Sequence, residues 1–448
     1  MMSKLNFDKE RERKKRDLWL LIPIAIITTF LAISIIGTVN AADITISPTT
    51  PGGLKKAIET AENGSTIYLE NGVYKGENNM NIILDKDINI KGKGKNVVID
   101  GQKKYSRLFY CGYQTGRYHP SDNRGHTPHS LNLLNLKITK FYANNEIIDN
   151  CGSLNVVNCI FSDNVGAIIS NSKNSNCRII NSIFTKNGND NGIISNVENS
   201  NVLMEKCKFN NNINGLKYPV TITIYENSSV RLTDCSFINN NKEGFIAIHT
   251  SKTVVISNCT FKKNKNIYIH SGKVKITDST FTNYIGEKKH KGFSLSSIIT
   301  NTGSATITNC KFNNNKCRGG VINNYGSMTI TKSTFKKNTG EYTGVIHNNI
   351  LFSGRHHIGR LNIGSSTFIS NKAIGGAGEY IFKPAAIQNI RTTLKITNTK
   401  FKNNIAGKTY RAISTDVYDA NKGKFIKTGK VTKKNVSITP KDGTKVKK

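Results

Sequence analysis

From Leu154 to Asn404 the chain repeats one short pattern of apolar and polar positions ten times. LNVVNCIFSDN (154–164), RIINSIFTKN (178–187), LMEKCKFNNN (203–212), RLTDCSFINN (231–240) and VVISNCTFKKN (254–264) set out the pattern. VKITDSTFTNY (274–284), TITNCKFNNN (306–315), TITKSTFKKN (329–338), NIGSSTFISN (362–371) and KITNTKFKNN (395–404) continue it. One column is phenylalanine in every copy: Phe161, Phe184, Phe209, Phe237, Phe261, Phe281, Phe312, Phe335, Phe368 and Phe401. A second column, two residues earlier, is always small: Cys159, Ser182, Cys207, Cys235, Cys259, Ser279, Cys310, Ser333, Ser366 and Thr399. A third, three residues after the phenylalanine, is asparagine in nine copies and Tyr284 in the tenth.

The alternation has period two, so the small residue, the phenylalanine and the preceding aliphatics share one face of a strand. A second strand precedes most copies, as in GAIISN (166–171), GIISN (192–196), SSIITN (296–301), GGVINN (319–324) and GVIHNN (344–349). Successive phenylalanines lie 20 to 33 residues apart, the length of one solenoid turn containing two or three short strands. Like positions of successive coils then stack at about 4.8 Å, the spacing of strands in a sheet. Phenylalanine is expected on phenylalanine, and asparagine on asparagine at a corner, bonding the turn backbone and tolerating left-handed geometry. No LxxLxL frame of a leucine-rich repeat is present, and a propeller needs longer four-stranded units. The fold expected is all-β: a right-handed parallel β-helix with a short N-terminal capping helix.

The cap falls in TTPGGLKKAIETAENGSTIYLENGVYKG (49–76), where Leu54, Ile58 and Ala61 line one face of a short helix. Strands follow at 66–69, 88–94 and 97–101. Covering the open end of a solenoid prevents edge-to-edge pairing. Residues 42–101 are therefore read as cap and first coils, and 102–420 as the β-helix. From about Asn421 the pattern is lost and ten lysines face one acid, Asp442, so 421–448 reads as a flexible basic tail.

Hydrophobic residues make up only 37% of the 448 positions, which suits a thin core with polar turns. The net charge of +35, from 64 Lys and Arg against 29 Asp and Glu, points to an anionic partner or to a lysine-rich solubilising surface. In the linear sequence the lysines are scattered, with no stripe. Residues 1–17 are basic and 18–36 uncharged and apolar, followed by Val39-Asn40-Ala41. Residues 1–41 thus read as a signal peptide cleaved after Ala41 or as an uncleaved anchor through 18–36. Either places the remainder outside the cell, secreted or at the cell surface.

Taken together, GLKKAIETAENGSTIYLENGVYKG, INIKGKGKNVVIDGQ and the repeated ITNCKFNNN with GGVINN resemble the adhesin-like surface proteins of methanogenic archaea. That family shares its repeat with polymorphic outer-membrane proteins and the wider pectate-lyase-like superfamily. The resemblance spans about residues 43–415 and implies a β-helix that binds without catalysing, with glycan, cell-wall polymer or another cell's surface as partner. The superfamily also contains polysaccharide lyases and glycoside hydrolases, so an enzyme acting on acidic glycans is the alternative.

Chemistry is thin in the sequence. A hydrolase needs two carboxylates at about 5–5.5 Å or 6.5–9.5 Å. At the position before the small column only Asp234 and Asp278 are acidic, two coils or roughly 9.6 Å apart, and solvated strand aspartates account for them. A calcium-dependent lyase needs clustered acidic oxygens, whereas Asp149, Asp163 and Asp190 stand alone near turns. His119, His126 and His129 lie in one insertion (113–130), and His356 and His357 in another (352–360). Neither shows zinc spacing with cysteine. As loops, these insertions are the expected recognition surface. No catalytic residue, metal ligand or cofactor is nominated, and nothing points to specific nucleic-acid recognition. Of the nine cysteines, five fill the small column, where cysteine acts as a small apolar group. Free buried thiols are expected.

Overall fold

The computed structural model describes residues 42–110, 128–188, 192–212, 220–240, 245–264, 266–286, 296–341, 343–349, 359–374, 385–419, 422 and 424–446. The putting-together of coils is parallel throughout the body, with a 26-stranded sheet, a 14-stranded sheet and a small third sheet among the described residues. The chain is a right-handed parallel β-helix. Residues 1–41, read as signal or anchor, lie outside the described residues. Among the described residues no helix is long and apolar enough to cross a membrane.

The helix Gly53–Thr60 buries Leu54, Ala57 and Ile58 against the first coil, as its apolar spacing requires. Its free N-terminal donors are partly met by Asn79, whose Oδ1 accepts the Leu54 N–H at 2.9 Å. Strands Ile44–Ile46, Thr66–Leu69 and Ile88–Gly92 begin the first main sheet, and Gly72–Tyr74 and Val97–Asp100 the second.

The phenylalanine column forms one unbroken stack on the second sheet. Ring centroids from Phe161 to Phe401 follow one another at 4.6–4.9 Å, with planes within 3–11°. The strand spacing imposes this arrangement, because each phenylalanine pairs directly with the next, as Phe184 does with Phe209. The small column is buried beside it, where a larger side chain would collide with the stack.

The asparagine column is a hydrogen-bonded ladder. Asn187 Nδ2 donates to Asn212 Oδ1 at 3.1 Å and to the Phe161 carbonyl at 2.9 Å, while its Oδ1 accepts the Asn164 N–H at 3.1 Å. An aspartate would lack the donors and bury a charge. Tyr284 interrupts the run of asparagines, and its backbone N–H donates to Asn315 Oδ1 at 3.1 Å. The left-handed turn expected at these asparagines instead falls on the residue before them, as at Asp163, Lys186, Asn211 and Lys337. The amide side chain is the group that must point inward, so the chain reverses one position earlier. A second ladder, Asn150–Asn171–Asn196 and Asn301–Asn324–Asn348–Asn389, stabilises the corner between the two strands of the first sheet. Gly326 lies beside it, where an added Cβ would meet the Gly303 carbonyl at 2.2 Å.

The C-terminal stretch expected to be a loose tail makes a further coil. Lys430–Lys434 pairs in parallel with Thr393–Thr397, and Ser437–Thr439 with Lys400–Lys402, placing Ile438 over Phe401. An aliphatic residue substitutes for phenylalanine there, so the motif was invisible in sequence while its apolar alternation persisted. Among the described residues seven cysteines are free and buried. Burial pushes the Cys159 and Cys310 thiols up to about 12 and about 11, so both stay protonated. Among the described residues Cys151 departs from the free-thiol expectation: it is disulfide-bonded and lies at an early corner outside the small column.

Candidate functional site

Between Asn196 and Asn301 the corner asparagine is replaced by Ile224, Ile248 and Ile269 in three successive coils. In the coil of Ile224 the two strands stay separate, Val220–Tyr225 and Ser229–Thr233, and in the next two coils they run together as the long strands Phe245–Ser257 and Ile267–Thr277. The position after the buried isoleucine points outward and carries a ring in three successive coils: ITIY (222–225), IAIH (246–249) and IYIH (267–270). Tyr225 stacks on His249 at 4.9 Å, and His270 meets His249 edge-on at 4.2 Å. Tyr268 lies 6.2 Å from both imidazoles. Tyr225 and His270 are exposed, while His249 and Tyr268 are half-buried. Burial, then the neighbouring His270, lowers the His249 pKa and favours its neutral form.

This track continues into a polar cluster on the same outer face. Tyr268 aligns through Thr300 and Asn323 with His347 and Gln388. Tyr325 meets His347 at 6.3 Å, and burial followed by Tyr268 raises its phenol pKa. His347 is buried, with Nδ1 3.0 Å from Gln388 Oε1 and Nε2 3.3 Å from Asn349 Nδ2. An amide oxygen only accepts, so Nδ1 carries the proton and Nε2 accepts from Asn349. Burial lowers the His347 pKa to about 4, which keeps this imidazole neutral and structural.

The carboxylates weighed in sequence do not assemble into a catalytic pair. Asp234 and Asp278 sit at left-handed corners and not within strands. Each accepts from the asparagine one coil on: Asn258 Nδ2 donates to Asp234 and Asn309 Nδ2 donates to Asp278. They are rungs of an exposed turn ladder that elsewhere runs Asn135–Asn158–Asn181. Asp163 also occupies a left-handed turn, and Asp190 lies outside the described residues. Asp149 differs. Burial first, then Glu146, pushes its carboxyl up to about 6, and Arg107 pairs with Glu146 at 3.5 Å. The adjacent cavity, lined by His129, Leu131, Ile148, Cys151 and Leu154, measures about 20 Å³. That holds about one water and no sugar ring.

His129 lies 3.9 Å from Asp87. His119, His126, His356 and His357, with most of the two insertions expected to form the recognition surface, lie outside the described residues. Among the described residues no three histidines, cysteines or acids gather to hold a metal ion. The ring track lies on the first sheet, outside the phenylalanine copies that define the repeat. The signal was present in the shared I-x-I-ring spacing of 222–225, 246–249 and 267–270.

The model of the right-handed β-helix region matches residues 123–283. No curated protein matches the chain. Among solved structures, the PL6 family alginate lyase AlyGC is similar at 14% identity and TM-score 0.43, over 87% of this chain. The chain spans 57% of that lyase's length. Pectate lyase Pel9A is similar at 14% identity and TM-score 0.37, covering 75% of this chain and 78% of Pel9A. PfbA, a surface adhesin of Streptococcus pneumoniae, is similar at 11% identity and TM-score 0.32, covering 88% of this chain and all of PfbA. None of these likenesses assigns an activity.

Proposed function

We propose that this β-helix is a non-catalytic, adhesin-like glycan-binding protein displayed outside the cell, with residues 1–41 directing export or anchoring it. The observation that carries the reading is the outward track Tyr225–His249–His270–Tyr268 on three successive coils. Rigid rings with polar tips offer apolar contact to the C–H face of a sugar and hydrogen bonds to its hydroxyls at little entropic cost. Their repeat along the axis suits an extended chain of sugars. The carboxylates favour binding over cleavage, because Asp234 and Asp278 serve turns and Asp149 faces a water-sized cavity.

The test is a glycan array on residues 42–448, followed by titration of the best ligand. Tyr225→Ala with Tyr268→Ala is expected to weaken binding at least tenfold, about 1.4 kcal/mol, without changing thermal unfolding. Reducing-sugar release and unsaturated-uronate absorbance should stay at background. Turnover abolished by Asp149→Asn, or by Asp234→Asn with Asp278→Asn, would establish the lyase or hydrolase reading instead.

A further inference from the structure

The lysines that look scattered in sequence gather on the second sheet when the chain coils. In each coil three positions lie on the outer side of that sheet: the residues before and after the buried ring (Ile138 in the first coil), and the left-handed residue that follows. Of these only Thr139 and Ser162 are buried. Over eleven successive coils, from Lys137–Thr139 to Lys400–Lys402, these positions hold Lys137, Lys140, Lys186, Lys208, Lys262, Lys263, Lys311, Lys336, Lys337, Lys400 and Lys402. All eleven are exposed. The same positions hold one acid, Asp163. Among the described residues only Lys140 of this set has an ion-pair partner, Asp100 at 3.0 Å.

The strip is long and narrow. Ten coil steps at the strand spacing make it roughly 48 Å long, and its width is one three-residue strand of roughly 10 Å plus a turn. Like charges directly opposite each other destabilise a sheet, and here they are kept apart. Lys262 pairs with Ile238 and Thr282, Lys311 with Thr280 and Thr334, and Lys336 with Asn313 and Ile369. The lysines are therefore interleaved with threonine, serine and asparagine, which donate and accept hydrogen bonds, and with isoleucines such as Ile238 and Ile369. Spaced within one or two Debye lengths of about 8 Å, the charges reinforce one another along the axis.

We infer that this strip is a second binding surface, distinct from the ring track, and that its ligand is a linear acidic polysaccharide lying along the solenoid axis. A narrow row of cations alternating with hydroxyls and amides complements a chain that repeats one carboxylate and several hydroxyls per sugar. The outward positions carry no aromatic residue on which bases could stack, and a strip one strand wide does not match the plane of a membrane.

Polygalacturonate serves as the probe, titrated against residues 42–448 over a range of salt concentrations. Lys262→Glu, Lys311→Glu and Lys336→Glu together are expected to weaken binding more than tenfold and to lower the salt slope by about two. The same charge change on the first sheet, Arg231→Glu with Lys275→Glu and Lys395→Glu, should weaken it less than threefold. Lys→Ala at the same three strip positions guards against disruption by the new acids, and unfolding curves should match the wild type. Equal losses in strip and control variants would show a net-charge effect and overturn the inference. So would failure to bind polygalacturonate, or tighter strip-dependent binding of single-stranded DNA or phosphatidylserine vesicles. Neutral glycan bound through Tyr225 and Tyr268 should be unaffected by the strip variants, so failure of one surface is separable from failure of the other.

Discussion

Removing one ring from the middle of the phenylalanine stack tests the reasoning about the core. Phe312 is fully buried, with its ring 4.6 Å from Phe281 and 4.7 Å from Phe335. Phe312→Ala should cost about 3–5 kcal/mol in lost burial and residual cavity. Phe312→Leu keeps most of the apolar volume but loses both ring contacts, each about 0.5–1.5 kcal/mol beyond area, so about 1–3 kcal/mol is expected. Lys311→Ala, on the exposed side of the same strand, should stay within about 0.5 kcal/mol of the wild type. Urea unfolding gives the ranking, and hydrogen exchange gives the location. Coils are coupled mainly to their neighbours, so protection should fall first around 275–340 and least in the N-terminal coils. Equal midpoints for the alanine and leucine variants would refute a stack stabilised by ring contacts. A uniform loss of protection along the chain would refute nearest-neighbour coupling.

Two further expectations concern acid–base and thiol chemistry. Asp149 has its carboxyl raised to about 6 by burial, against about 3.9 in an unfolded chain. Between these values the folded state binds more protons, so this group's contribution to stability is present below about pH 4 and lost as pH rises through about 6. Relative to the wild type, Asp149→Asn should therefore gain urea resistance from pH 4 to pH 7, and an unchanged difference across that range would remove Asp149 as the cause. Thiol titration of denatured, unreduced protein should find the seven free cysteines, and of the native protein almost none. Rapid labelling without denaturant would contradict their burial.

The sequence by itself determined the architecture. A column of phenylalanine with a small residue two before it and asparagine three after it has only one way to bury every ring, which is to stack the copies. Local alternation fixes the strands, and one-coil repetition fixes their register, so the ladder from Phe161 to Phe401 is legible in the sequence alone. Three things depended on the coiling. The position of the left-handed turn depends on which residue must aim its amide inward, and that places it at Asp163 and Lys186 and not at Asn164 and Asn187. The final coil depends on Ile438 lying over Phe401, a contact that a search for phenylalanine misses. Both surfaces are also tertiary products, since Tyr225, His249 and His270 lie some twenty residues apart, and the strip lysines are interspersed among more than two hundred residues. Coiling turns a distance of one repeat along the chain into one strand spacing in space, so residues sparse in sequence become neighbours on a face.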